Sequence, residues 1–173
     1  MILRKIITTI LWIFFRMKKV SIVWSIKNNI EWNTKIYNSG KKLIIGKVNI
    51  RNNVLINTES TGEMIIEDGC FFNRNCIVSC RNKIIIGKGC IFGPNVCIYD
   101  HDHKYDVNGF KNGYTCKEII IEEGCWIGAG VIILKGTYIG KGSIIGAGAI
   151  VKGTYPEKTL IYSVNKIKTR SLR

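Results

Sequence analysis

Two histidines, His101 and His103, stand in the run D-H-D-H at 100–103, and the chain has no others. A neutral imidazole has an unperturbed pKa of ~6.5, so such a ring can take a proton from an alcohol near neutral pH. Two histidines cannot supply a site that needs three from one chain. The seven cysteines are Cys70, Cys76, Cys80, Cys90, Cys97, Cys116 and Cys125, with no C-x-x-C pair among them. Their spacing therefore supports no zinc site. Their odd number, with no secretory cleavage pattern ahead of them, fits reduced thiols in a cytoplasmic protein.

The elements that must position these residues follow from a repeat. Ile121, Ile127, Ile133, Ile139, Ile145 and Val151 recur every six residues. The same frame runs through Ile66 and Phe72, then through Ile86, Phe92 and Ile98, and more loosely through Ile44, Ile50 and Ile56. On an α-helix, six residues advance about 600°, so successive members of the series would not share a face. On a strand, six is a multiple of two, and every marked residue faces the same side. Glycine follows the marked residue at 87, 93, 128, 140 and 146 and permits a tight corner there. The fourth residue after the marked one is mostly small and faces inward too. Cys70, Cys76, Cys90 and Cys125 hold this position, which makes them buried apolar fillers rather than reactive groups. The expectation is a prism of short strands with isoleucine stacked inside.

The period fails at 104–120, KYDVNGFKNGYTCKEII. This stretch is expected to be an excursion loop leaning over a site. His103 stands where the chain leaves the coil, beside that loop, which suits a general base.

These repeats, and above all the run W-I-G-A-G-V-I-I-L-K-G-T-Y-I-G-K-G-S-I-I-G-A-G-A-I-V at 126–151, resemble the hexapeptide-repeat acyltransferases. The region I-F-G-P-N-V-C-I-Y-D-H-D-H at 91–103 looks like that of their sugar O-acetyltransferases. The resemblance covers roughly residues 40–165. It implies an all-β fold, a left-handed parallel β-helix with three hexads per coil, which the period alone does not give. It implies acetyl transfer from acetyl-CoA to a hydroxyl of a sugar or glycan precursor, with no metal and no covalent enzyme intermediate. It also implies a homotrimer with sites between subunits.

Residue by residue, the resemblance selects His103 as the base, five residues after Ile98, with His101 as second candidate. Relatives carry a Glu in the loop where Tyr114 stands here, so the group orienting His103 is left to Asp106, Glu118 or a backbone carbonyl. The acceptor side is expected to use Asn73, Asp102, Asp106 and Trp126, although Asn73 also reads as a cap of a β-helix corner. The donor is expected to lie against Ala129 and Ala147, with the Ala129 N–H facing the oxyanion. Lys152, Lys168 and Arg170 are candidates for its phosphates. Lys152 departs from the common pattern by one position, and the usual G-x-P-A run is missing near the C-terminus.

The net charge of +14 sits at the ends: residues 1–51 hold 11 Lys/Arg against one acid, and 152–173 hold six against one. Such ends suit an anionic partner, but no aromatic-basic motif for nucleic acid accompanies them. Residues 6–15, IITTILWIFF, are uncharged and flanked by Arg4, Lys5, Arg16, Lys18 and Lys19. Ten residues are too few to span a bilayer, which takes about 20. Read as a helix, residues 1–19 form a basic amphipathic face that lies on the inner surface of the cell membrane or caps the first coil. The organisation is thus a helical, basic segment at 1–38, a β-helix catalytic domain at 39–160 and a basic tail at 161–173. The alternatives are a non-catalytic structural β-helix and a serine acetyltransferase-type enzyme.

Overall fold

A computed structural model describes residues 21–22 and 28–164. The helix expected over 1–19 lies outside them, as do Lys168 and Arg170. Twenty short strands build three parallel sheets. One runs from Ser21–Ile22 to Thr154–Tyr155, the second from Asn29–Ile30 to Leu160–Ile161, and the third from Lys35–Asn38 to Ile150–Val151. Each coil visits the three sheets in turn, giving a parallel β-solenoid of about seven turns.

The marked residues fill the prism. Ile66, Ile86, Ile121 and Ile139 stack in the first sheet and Phe72, Phe92, Ile127 and Ile145 in the second. All are buried, and the rings of Phe72 and Phe92 lie parallel with centroids 4.5 Å apart.

The 18-residue coil expected from three hexads holds only toward the C-terminus. Ile133 pairs with Val151, 18 residues on. In earlier coils Ile36, Ile56, Val78 and Ile98 are partners at intervals of 20, 22 and 20 residues. The difference arises partly on the third side, where the strands Leu55–Thr58 and Ile77–Cys80 bring in one more inward residue each, Thr58 and Cys80.

The corners also work differently from the expectation. At the corner between the second and third sheets the residues with positive φ include Asn53, Asn75 and Asn95 (φ 60–61°), replaced in later coils by Gly130 and Gly148 (67° and 71°). The glycine after the marked residue serves close approach instead. A Cβ on Gly128 would lie 2.6 Å from the Ala147 nitrogen, and one on Gly93 2.7 Å from that of Ala129.

Cys70, Cys76, Cys90 and Cys125 are buried at the inward positions, as expected. Each thiol points at a carbonyl of the next coil, for example Cys90 Sγ to Glu122 O at 3.1 Å and Cys125 Sγ to Gly140 O at 3.3 Å. Burial pushes the Cys76 thiol up to about 11, and the Cys125 thiol is raised by its hydrogen bond with Cys90 and by burial. Neither is a nucleophile at neutral pH. Cys125→Ala should therefore fold, cost about 1 kcal/mol and keep its activity. Cys125→Arg should not fold, because it buries an unpaired charge. Circular dichroism melts check both, and an Ala variant that melts normally but is inactive would reveal a chemical role for the thiol.

The interruption is a β-hairpin, not a loop. His101–Asp106 pairs antiparallel with Gly109–Cys116, and the prism resumes at Ile119–Ile121. Ile98 and its partner in the next coil, Ile133, are consequently 35 residues apart.

Candidate active site

The chain leaves the prism through the strand Cys97–Tyr99. Strand alternation sends Ile98 inward and Asp100 inward after it, so a carboxylate enters the core. Asp100 is fully buried. Its oxygens accept the backbone N–H groups of Arg81 (2.9 Å), Asn82 (2.7 Å) and Lys83 (2.9 Å), and the Cys80 thiol lies at 3.3 Å. Its own carbonyl accepts the N–H of Lys117, which closes the base of the hairpin. Asp100 thus ties the turn of the preceding coil to the ribbon.

Asp100 also orients a histidine, and the histidine is His101. His101 Nδ1 lies 2.9 Å from Asp100 Oδ1, with the imidazole 13% exposed. A carboxylate on Nδ1 fixes the tautomer and leaves Nε2 as the free nitrogen. Sequence reading missed Asp100. The available signal was its parity with Ile98, which puts it on the inward face.

His103 stands further out on the ribbon, exposed, with its ring against Tyr114 (centroids 4.6 Å apart) and Phe110 (5.1 Å). The Arg81 guanidinium lies 3.7 Å from the Tyr114 ring centroid and pairs with Glu59. Neither carboxylate considered for orienting His103 is aimed at it. Asp106 pairs with Lys111 at 3.4 Å, and Glu118 with Lys83 at 3.3 Å. Asp102 pairs with Lys135 Nζ at 2.9 Å, and the same ammonium bonds the Thr115 hydroxyl. His103, Asp106, Lys111, Thr115 and Lys135 border an open hollow of about 570 Å³.

The other candidates gather at a different corner. Asn73 donates its N–H to Phe92 O, and its Oδ1 accepts the N–H of Arg74, which is the corner-capping arrangement. Gly93 and Gly128 continue that column, with Ala129 and Ala147 exposed beside them. Trp126 is 54% exposed on the outer face of the second sheet, in register with Phe71, Ile91 and Ile144. Lys152, one residue past Val151, is exposed instead where the third sheet ends, on the side from which the ribbon leaves. The third side of the prism separates the Ala129 corner from the ribbon. From Ala129 to Lys135 is six residues, at most about 20 Å at ~3.3 Å each. One chain therefore brings His103, Asp102 and Asp106 together on the ribbon, and Asn73, Ala129 and Ala147 together at the far corner, without joining the groups.

A parallel solenoid of six-residue repeats, with a histidine-bearing ribbon at one break, defines a class before any relative is considered. The family profile described as "Bacterial transferase hexapeptide (six repeats)" matches residues 118–153. The galactoside O-acetyltransferase of Lactococcus lactis is 38% identical over 95 residues, 54% of this chain and 46% of that protein. The chain thus spans about half the length of that curated relative. A hexapeptide-repeat acetyltransferase of Vibrio cholerae, solved with acetyl coenzyme A, is 32% identical with a TM-score of 0.53, over 57% of this chain and 55% of that one. An N-acyltransferase of Bacillus cereus, at 19% identity and a TM-score of 0.69 over 91% and 87%, shares the fold. With the solenoid itself, these matches make the chain similar to the hexapeptide-repeat acyltransferases.

Proposed function

We propose that this chain moves an acetyl group from acetyl-CoA to a hydroxyl of a sugar or glycan, with His103 as general base, on a solenoid that winds left-handed. The observation that carries the reading is the single break in the repeat: it projects an exposed imidazole on a ribbon, in a chain whose repeats align with a protein solved with acetyl-CoA. The relatives supply the sugar, since one is a galactoside O-acetyltransferase and another is described as a putative lipopolysaccharide O-acetyl transferase.

His103 takes the proton of the acceptor hydroxyl as its oxygen attacks the thioester carbonyl. The C–O bond forms, the C–S bond breaks, and the proton passes to the departing thiolate. The smooth corner at Ala129 and Ala147 fits the pantetheine arm, because small exposed side chains leave room there. The Ala129 N–H faces the oxyanion, while Lys152, Lys168 and Arg170 meet the phosphates. Asn73, Asp102, Asp106 and Trp126 face the acceptor. Because the third side of the prism stands between the two groups within one chain, the site forms between subunits, as a homotrimer allows. The test is thiol release from acetyl-CoA and acetyl transfer to a panel of sugars. Absence of both would favour a structural β-helix.

Residues 1–19 are proposed to hold this cytoplasmic enzyme at the inner face of the membrane, beside a lipid-linked acceptor. The uncharged run 6–15 and its five flanking Lys/Arg motivate this. Among the described residues, no helix is long and apolar enough to cross a membrane. Each basic residue near an anionic surface contributes ~1 kcal/mol. Binding to anionic vesicles should therefore weaken as salt rises and disappear when 1–19 are deleted. A truncated protein that aggregates, with no vesicle binding by the full chain, would identify a cap instead.

A further inference from the structure

One face of the ribbon is aromatic. His103 is paired with Tyr114, and Tyr105 with Phe110. The bulge between His103 and Lys104 brings Phe110 back against the imidazole. The rings run outward from the prism: Tyr114 beneath the Arg81 guanidinium, then His103, then Phe110 with Tyr105 beside it. The inner end is held by packing, while Tyr105 is 81% and Phe110 64% exposed. Two of the ribbon's charges are paired with each other, Lys111 with Asp106, and Asp102 pairs with Lys135 of the prism.

Exposed apolar area of this kind marks a binding surface, and the chemistry of the row selects its occupant. A pyranose offers one face of C–H bonds and a rim of hydroxyls. An aromatic ring takes the first, and the imidazole and two phenols within the row can take the second. The steps of 4.6 and 5.1 Å along the row are each close to the length of one pyranose ring. The turn exposes Val107 as well, but the rings run along the ribbon and include an imidazole and two phenols, polar atoms that suit a hydroxylated ligand. We infer that the acceptor has more than one sugar ring, and that it lies along this row with the target hydroxyl over His103 and the next ring on Phe110 and Tyr105. This rests on the sugar acetyl-transfer reading above, and deepens it.

The test compares galactose with lactose, cellotriose and chitotriose on the full chain with acetyl-CoA. The preference, as a ratio of kcat/KM for the longer acceptors over galactose, is expected at tenfold or more. Phe110→Ala and Tyr105→Ala should each cut that ratio by about tenfold, mainly through KM, as the loss of one stacking contact implies. Phe110→Trp should restore it and Phe110→Leu should not, since the ring matters rather than apolarity. Saturation-transfer NMR without acetyl-CoA gives a second readout: magnetisation should pass from protein rings to at least two sugar rings. If galactose serves as well as the trisaccharides and the variants leave the ratio unmoved, the row is not a subsite, although acetyl transfer stands. If no sugar is acetylated but the longer ones still receive magnetisation over two rings, the row stands and the reaction is misassigned. If no sugar is acetylated and none receives magnetisation, both fall. A change of mass in solution on Phe110→Ala would make the row a subunit contact and overturn the inference.

Discussion

Replacing His103 with alanine should lower acetyl transfer by about 10²–10⁴-fold, the usual worth of a general base, and leave the thermal melt of the prism where it was. The fold should survive because His103 is exposed, its backbone pairing with Tyr114 does not need the imidazole, and the ring packs only on Tyr114 and Phe110 among the described residues. His101→Ala should cost much less turnover. His101 stands at the foot of the ribbon with Nδ1 on the Asp100 carboxylate, where its packing supports the hairpin. The comparison is informative because the structure gives each histidine one attribute of a base. His103 has exposure and faces the open hollow, whereas His101 has the carboxylate that orients a ring. Turnover of the two variants under saturating acetyl-CoA decides between them. A larger loss for His101→Ala would move the base two residues back and make Asp100 its orienting partner. Equal and negligible losses would remove catalysis from the ribbon altogether.

The prism was readable because its signal is periodic and redundant. A marked residue that missed one position would be corrected by its neighbours in the stack, and Ile121 through Val151 keep step without a gap. The inward cysteines followed from the same count. The length of the coils was not readable, since an added pair such as Asn57-Thr58, one residue outward and one inward, preserves strand parity and leaves no mark in a six-residue frame. The ribbon was hidden for a different reason. Its strands are exposed and carry rings between charges rather than the buried aliphatic alternation of the prism, and only Asn108-Gly109 at the turn signalled a hairpin. At the site, the position of Tyr114 was noticed as the place of a missing carboxylate. That its ring would lie between Arg81 and His103 depends on residues 33 positions apart meeting across coils, which no local pattern carries.

Asp100 should prove to be the costliest single substitution around the site. In Asp100→Ala the N–H groups of Arg81, Asn82 and Lys83 lose their acceptor together, and the Cys80 thiol loses its partner. An orphaned buried donor costs ~1–3 kcal/mol, so three together take away roughly 3–9 kcal/mol from a native margin of about 5–15 kcal/mol. For a chain of this size that is a fall in Tm of about 6 °C or more. Asp100→Asn should recover little. The amide keeps one oxygen for Arg81 but turns an NH2 toward the Asn82 and Lys83 N–H groups, setting donor against donor. The effect should reach the ribbon, because the same carboxylate fixes the His101 tautomer. Nitrogen-15 shifts of the imidazole should report Nδ1 protonated in the wild-type chain and a mixture of tautomers in Asp100→Ala. A melt within 2–3 °C of wild type, about 1 kcal/mol, would mean that water replaces the carboxylate at the turn. Asp100 would then serve His101 alone. A depressed melt with unchanged tautomer would mean the reverse, that the carboxylate holds the turn and His101 takes its orientation from Tyr99 and Tyr114, whose rings stand edge-on to it.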